Sequence, residues 1–340
     1  MMKYQFPVEV HSHTIHSDGQ FTVAKLVESA IDFGYKGLIL TDHNTSAGYL
    51  EMATLPQIQD ETLITLHGME WTTYFGHMLA HDANYDVDWR EATPDTIDTY
   101  MREVREADGL VGIAHPYDIG SPICTGCHWD YKVQDYNLVN YIEIWNSNEP
   151  QEKSESILAY EFWLDKLNKG YEISCSAGRD WQRPDKDDAN MGVTYLELAG
   201  DRLTQTNFKA ALRQGSYYIT LGPTAEFVIT REGENFYMGD RVKETDIAEG
   251  TVSLEVMPAQ LPDLKQFVVK NAYVTIWNND QLLYRSDKVS ELNGRLDVEF
   301  TLPSELSEGY VRFEVRGDFK DTKDTLIIVG NPIYVKSRLD

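Results

Sequence analysis

The sequence predicts an α/β protein followed by an antiparallel β domain, and three observations predict it. From residue 4 to about 221, short apolar runs alternate with segments of helical periodicity, the pattern of a parallel sheet with crossover helices. After Leu221-Gly222-Pro223 the texture becomes period-two, with turn-forming residues between the runs. Finally, polar side chains able to hold a metal finish one apolar run after another, which favours a barrel with its site at the strand ends.

The elements follow in order. Val8-Glu9-Val10-His11-Ser12-His13 comes first. Side chains two apart on an extended chain share a direction, so His11 and His13 can reach one ion. Residues 21–31 have helical periodicity, and Gly34 ends that helix where a strand must begin. The next apolar run, from residue 37, ends on Thr41-Asp42-His43, and the run from residue 63 ends on Glu70. A second helix over 95–108, closed by Gly109, leads into the strand carrying His115. A third over 154–169, closed by Gly170, leads into Ala177-Gly178-Arg179-Asp180. Beyond residue 221 the runs 251–256, 272–277 and 309–315 alternate polar and apolar residues. Asn278-Asn279-Asp280 and Asn293-Gly294 supply turns between such runs, giving a small antiparallel β-sandwich. The domain division is therefore 1–221, a catalytic α/β domain, and 222–340, a β-sandwich accessory domain. Sandwich residues form no catalytic constellation; that domain is expected to bind substrate, cover the barrel, or mediate assembly into a homo-oligomer.

Composition narrows the function classes. A hydrophobic fraction of 42% with seven tryptophans indicates a well-formed core. The formal charge of -25 argues against nucleic acid as partner, because phosphate backbones repel such a surface. A phosphorylated small molecule stays admissible, since bound cations reverse the local field. Residues 1–7 contain no apolar signal core, and no run approaches membrane-spanning length, so the expectation is a cytoplasmic protein with no membrane partner. Three cysteines make no disulfide framework. All nine histidines lie at or before His128, which places the chemistry in the N-terminal part with Asp180 as its last major ligand.

Residue by residue, His11, His13, Glu70, His115 and Asp180 read as a metal cluster rather than as buried, hydrogen-bonded histidines, because strand-end placement recurs. His77, in a Gly-His context at a strand start, is preferred to His81 as a further ligand. Asp18 makes an Asp-Gly turn with Gly19, a role compatible with ligation. His16 reads as a solvated loop residue and His67 as structural. Arg179, directly before Asp180, either grips an anionic substrate group or pairs with an acidic neighbour. Tyr117 and Asn146 are candidate pocket residues. Cys124-Thr125-Gly126-Cys127-His128 has the haem-attachment spacing, but nothing else supports haem. The run 183–188 reads as a solvated loop placed to act as a lid.

Taken together, His11-Ser12-His13 with Ser17-Asp18-Gly19, Thr41-Asp42-His43-Asn44 and His115-Pro116 resemble the PHP (polymerase and histidinol phosphatase) superfamily. Gly68-Met69-Glu70-Trp71-Thr72-Thr73 with Gly76-His77, Glu143-Ile144-Trp145-Asn146 and Gly330-Asn331-Pro332 are similar to its CehA/McbA-like branch of metallohydrolases. The resemblance spans nearly the whole chain. It implies a distorted (β/α)7 TIM-like barrel holding two or three divalent metal ions, Zn, Fe or Mn. It implies His11, His13, Glu70 and Asp180 on a first ion, with Glu70 bridging to a second held also by His77 and His115. A third would be held by Asp18 and His43 with a histidine two residues after Asp180. That position is Gln182 here, and an amide oxygen is a far poorer ligand than imidazole.

The expected function is a metal-dependent hydrolase, a phosphoesterase acting on a small-molecule phosphate ester through a metal-activated hydroxide. Asp180, or a histidine near the rim, would handle the proton, with Arg179, Asn146, Tyr117 and Gln182 facing the substrate. Hydrolysis of a carbamate, ester or amide on the same ions is the alternative. A non-catalytic metal-binding module is the alternative from another class, and Gln182 is the feature that speaks for it.

Overall fold

The computed structural model describes residues 3–83, 87–120, 126–184 and 190–336. β1 (Tyr4–Glu9) is followed by α1 (Val23–Phe33), where the Thr22 side chain accepts from the Lys25 amide and Gly34 turns left-handed at φ 104°. The helix buries Val23, Leu26, Val27, Ala30 and Phe33, one face at helical spacing. β2 (Gly37–Leu40), α2 (Ala47–Met52), α3 (Pro56–Gln59), β3 (Ile64–Thr73) and β4 (Gly76–His81) come next. After them stand α4 (Ile97–Glu106), β5 (Leu110–Ile113), β6 (Tyr141–Asn146), α5 (Ser154–Asn168) and β7 (Ser174–Gly178). β8 (Val193–Leu198), α6 (Gln205–Gln214) and β9 (Tyr217–Thr220) complete the first part. The three expected helices are thus present. The left-handed residue after α4 is Asp108, at φ 63°, rather than Gly109. Aspartate tolerates that conformation better than most residues with a Cβ.

The strands form a mixed α/β arrangement, not a uniformly parallel one. β1, β2 and β3 run parallel, as do β5, β6 and β7, but β4 is antiparallel to both β3 and β5. Only Tyr74 and Phe75 separate β3 from β4, and so short a connection cannot reverse into a parallel crossover. The expected barrel is also not closed by a regular ladder. β1 pairs along residues 4–8 with antiparallel β8, and β7 pairs with β6 alone among the described strands. The seam between β7 and β1 is joined at its upper end, where the His13 amide donates to Trp181 O (3.0 Å) and the Trp181 amide to His11 O (3.1 Å). Lower down, Thr194 Oγ1 exchanges hydrogen bonds with the backbone of Ala177.

The second part adds β10 (Thr224–Arg231), β11 (Glu234–Phe236), β12 (Arg241–Lys243), α7 (Glu244–Ile247), β13 (Thr251–Met257) and β14 (Val269–Asn278). It ends with β15 (Gln281–Arg285), β16 (Val289–Glu291), β17 (Leu296–Thr301), β18 (Gly309–Phe319), β19 (Thr322–Gly330) and β20 (Ile333–Lys336). Strands β11, β10, β13 and β17 make a four-stranded antiparallel sheet. The others continue the large sheet, because β19 pairs antiparallel with β9. Phe227 of β10 lies on Phe313 of β18, ring centroids 4.9 Å apart, so apolar packing joins the two sheets. No helix among the described residues is long and apolar enough to cross a membrane.

Candidate metal centre

The site is built where strands end. His11 and His13 continue β1, His43 follows β2, and Glu70 lies within β3. His77 opens β4, His115 follows β5, Glu143 lies within β6, and Asp180 follows β7. His115 and Asp180 adopt positive φ, 24° and 47°. Such backbone costs free energy and persists where the surroundings over-determine it, here at two inward-turned strand ends.

Four donor atoms converge. His11 Nε2 is 3.1 Å from Glu70 Oε2 and 3.7 Å from Asp180 Oδ1; His13 Nε2 is 3.2 Å and 3.0 Å from the same two atoms. Ligands about 2.1 Å from a common ion stand about 3.4 Å apart at tetrahedral corners. His11 Nε2, His13 Nε2 and Glu70 Oε2 are buried without an adequately directed hydrogen bond, although they lie within ion-pair distance. Atoms close together yet not aimed along each other's lone pairs fit donors aimed at a shared cation. On the other side, Glu70 Oε1 is 2.9 Å from His77 Nδ1 and 3.1 Å from His115 Nε2. The Glu70 carboxylate therefore stands between two groups of imidazoles. His43 Nδ1 is 3.0 Å from Glu70 Oε2, while its Nε2 is 3.5 Å from Asp18 Oδ1 at the solvent side. His13, Asp18 and His43 form a third, more open grouping.

The charges are tightly coupled. Burial alone would raise Glu70, but the imidazoles of His11, His43 and His77 hold it well below the ordinary carboxylate range. Asp180 is likewise held low by His11 and His13 against burial. Burial opposes protonation of the imidazoles, yet Glu70 and Asp18 push His43 up to about 10, and Glu70 pushes His115 up to about 9. An ion entering here must displace those protons, so its uptake is coupled to proton release.

Three carboxylates escaped the sequence reading. Glu143, fully buried, faces His11 Nδ1 at 3.0 Å and accepts from the His115 amide (3.2 Å) and Asn146 Nδ2 (2.9 Å). It fixes which ring nitrogen of His11 is presented to the cluster. A Cβ on Gly178 would lie 2.1 Å from Glu143 Oε1, so this carboxylate needs glycine opposite it. One oxygen of buried Glu9 accepts from the amides of Val10, His11 and Arg179, pinning the ends of β1 and β7 together. Burial raises Glu9 to about 7 against the pull of Arg179. Asp42 accepts from the Thr14 amide and hydroxyl and from Ser17 Oγ, each at 2.7 Å, and so shapes the loop that carries Asp18. The available signal was a carboxylate inside or directly beside an otherwise apolar strand.

The remaining expectations divide. His81 is buried in the core with Tyr141 Oη 2.9 Å from Nδ1, and burial lowers it to about 3; it does not join the cluster. His16 lies 2.7 Å from Glu51, and His67 stacks on Tyr49. Gln182 donates to Asp180 Oδ1 at 3.3 Å, and Asn146 serves Glu143. Tyr117 packs near His128 and Phe162. Arg179 is a correction. It is 2% exposed, its guanidinium stacks on Trp181 at 3.6 Å, and it lies on the Glu9 side of the sheet rather than at the rim. Cys124 and residues 185–188 of the expected lid lie outside the described residues. Cys127 is buried and disulfide-bonded, and His128 is exposed beside Asp130.

Beside the cluster, across Thr72, opens a cleft of 880 Å³ whose walls include Asn44, Tyr74, Phe75, Trp89 and Arg90. Arg90 is engaged with Asp88, Nε to Oδ1 at 2.7 Å.

With the geometry in hand, comparison with known proteins adds the fold. No family model and no curated protein matches the chain. Among solved structures it is similar to a two-domain protein from Bacteroides vulgatus containing a predicted PHP-like metal-dependent phosphoesterase. Identity is 17%, coverage 97% of this chain and 95% of that one, and the TM-score 0.54. The two chains share a fold over nearly their full lengths. An amidohydrolase from Chromobacterium violaceum is 14% identical over 60% of this chain and 96% of its own, at a TM-score of 0.37, too distant to argue from.

Proposed function

We propose that this protein is a metal-dependent hydrolase acting on a small molecule, with a phosphate ester as the first substrate class. One observation carries it: the Nε2 atoms of His11 and His13 each lie 3.0–3.7 Å from Glu70 Oε2 and Asp180 Oδ1, while the other Glu70 oxygen faces His77 and His115. The description of the Bacteroides vulgatus neighbour as PHP-like supports the phosphate class. His11, His13, Glu70 and Asp180 would hold one divalent ion, Glu70, His77 and His115 a second, and Asp18 with His43 a third. Zn, Fe and Mn all suit this mixture of imidazole and carboxylate. Ions held so activate water and neutralise charge that develops on the reacting group.

The chain's own contribution is orientation and proton handling. Glu143 locks His11, Glu9 ties the two strand ends that deliver His11 and Asp180, and Gln182 steadies Asp180. Asp180, side chain 22% exposed, would take a proton from the attacking water and pass it to the leaving oxygen.

A second reading is favoured by the cleft. Arg179 is buried against Trp181 and Arg90 is paired to Asp88, while Tyr74, Phe75 and Trp89 line the cleft. Hydrolysis of a carbamate, ester or amide with an apolar group suits such walls. The test is elemental analysis after reconstitution with Mn or Zn, then turnover of p-nitrophenyl phosphate against p-nitrophenyl acetate. Two or more equivalents with phosphate turnover support the first reading, and acetate turnover alone the second. Two equivalents bound with neither ester cleaved would favour the non-catalytic metal-binding module.

A further inference from the structure

A second pocket lies far along the chain from the metal ligands. Strands β14 and β18 pair with Tyr273 opposite Arg316, Thr275 opposite Glu314 and Trp277 opposite Arg312. Alternation puts these six side chains on one face of the sheet. The other face of the same strands carries Val274, Ile276, Val311, Phe313 and Val315, all fully buried in the apolar core. The polar face is roofed in part by Tyr160 and Leu164 of α5, one turn apart, and encloses 390 Å³ open to solvent beside β15.

Its floor is charged and buried. Arg312 and Glu314 are 2% and 1% exposed, and Glu314 accepts from Arg312 Nη1, from the Tyr160 hydroxyl, and from Arg316 Nε at 3.0 Å. Asp324 accepts from the Tyr273 hydroxyl at 2.8 Å. Apolar residues of similar size would fill such a face at no greater cost, so a buried charged row is weak evidence for stability. Nothing in the metal chemistry uses it.

The pocket's chemistry selects a ligand class. Three arginines (285, 312, 316) are balanced by three carboxylates (280, 314, 324), so the lining favours neither a cation nor an anion. What remains is an alternation of donors and acceptors at strand spacing beside the partly exposed ring of Trp277, while Tyr273 is buried with the Arg285 guanidinium 4.2 Å from its ring. A hydroxyl both donates and accepts, so adjacent hydroxyls on one molecule match adjacent guanidinium and carboxylate groups. The face of Trp277 can cover the C–H side of a saturated ring. We propose that this pocket binds a neutral saccharide, independently of the metal centre.

A salt bridge that merely fastened α5 to β18 would need Arg312, Glu314 and Tyr160, and would be indifferent to the partly exposed Trp277 and the exposed Arg285. These two supply the test. Glucose, galactose, mannose, N-acetylglucosamine and their disaccharides are titrated into the full chain, with binding followed by saturation-transfer NMR and calorimetry. At least one sugar is expected to bind with Kd on the order of 1 mM or tighter. Trp277→Ala and Arg285→Ala should each weaken it by roughly ten-fold or more while leaving the melting temperature and metal content unchanged. Arg285→Ala, at an exposed position, keeps the test valid if Trp277→Ala folds poorly. Binding by no member of the panel would overturn the proposal, as would binding that survives both substitutions or vanishes when the metals are chelated.

Discussion

Two buried carboxylates, Glu70 and Glu314, show how differently one chain can house a negative charge. Glu70 stands among His11, His13, His43, His77 and His115, and its Oε2 has no well-directed hydrogen bond. Glu314 accepts from two guanidiniums and a phenol, and Arg312 and Arg316 outweigh burial to keep it ionised. The first arrangement is poor as a salt bridge and good as a ligand set. The second is complete as it stands. Buried charge marks a metal centre when the polar atoms converge without satisfying one another.

That contrast can be broken at its strongest point first. Glu70→Ala removes the carboxylate shared by both imidazole groups, and hydrolysis should fall by on the order of 10³-fold, about 4 kcal/mol of barrier, with metal content falling too. Unchanged metal content by elemental analysis would remove Glu70 from the ligand set. Next in size, Arg312→Met leaves Glu314 buried with its closest partner gone and should cost about 3 kcal/mol in urea unfolding. Arg312→Met with Glu314→Leu should recover most of that loss, as no double substitution at Glu70 could for metal binding. If the double variant is no more stable than the single one, the row is a stabilising unit and the contrast fails. Smaller again is Glu143→Gln, which keeps the shape beside His11 but loses the charge. Metal affinity should drop about 10- to 100-fold in competition with a chromophoric chelator, and an unaltered affinity would show that Glu143 does not set His11.

The same comparison explains what could be read from sequence. The residues that meet at the metal centre stand at the ends of apolar runs, where a change of polarity is visible, and the structure brings His11, His13, Glu70, His77, His115 and Asp180 together. Glu143 was hidden because Tyr141–Asn146 is a strand buried on both faces, and no alternation shows which way its one acid points. Arg179 misled because adjacency to Asp180 in the chain did not bring its guanidinium to the same site: it stacks on Trp181 instead. Of the fold, the α/β pattern, the three long helices and the period-two strands were legible because each is a local signal. The seam between β7 and β1 and the joining of β19 to β9 depend on long-range pairing, which single-sequence periodicity does not encode, whereas the antiparallel β4 follows from the short Tyr74-Phe75 hairpin.

A third buried carboxylate gives the finest discrimination. Glu197 of β8 is 2% exposed and has neither an imidazole nor a guanidinium beside it, only Gln5 Nε2 at 3.4 Å. Burial raises it to about 8, with Lys3 pulling it down and Glu226 pushing it up. Its folded pKa thus lies above the unfolded value near 4.5, so the folded state binds the proton more tightly. The stability this provides is complete below about pH 4.5 and is lost progressively as pH rises through 8. Glu197→Gln removes the titration while keeping an acceptor for Gln5. At pH 5 the variant and the parent should unfold at nearly the same urea concentration. At pH 9 the variant should be more stable by about 2 kcal/mol, well under the full linkage value because a small cleft beside Lys3 and Tyr237 admits water to this carboxylate. Parallel stability curves for the two proteins from pH 5 to 9 would mean that Glu197 is ionised in the fold. Burial without a cationic partner would then not suffice to keep a carboxyl protonated here, and the low proton affinity of Glu70 would say less about its imidazoles than the comparison with Glu314 implies.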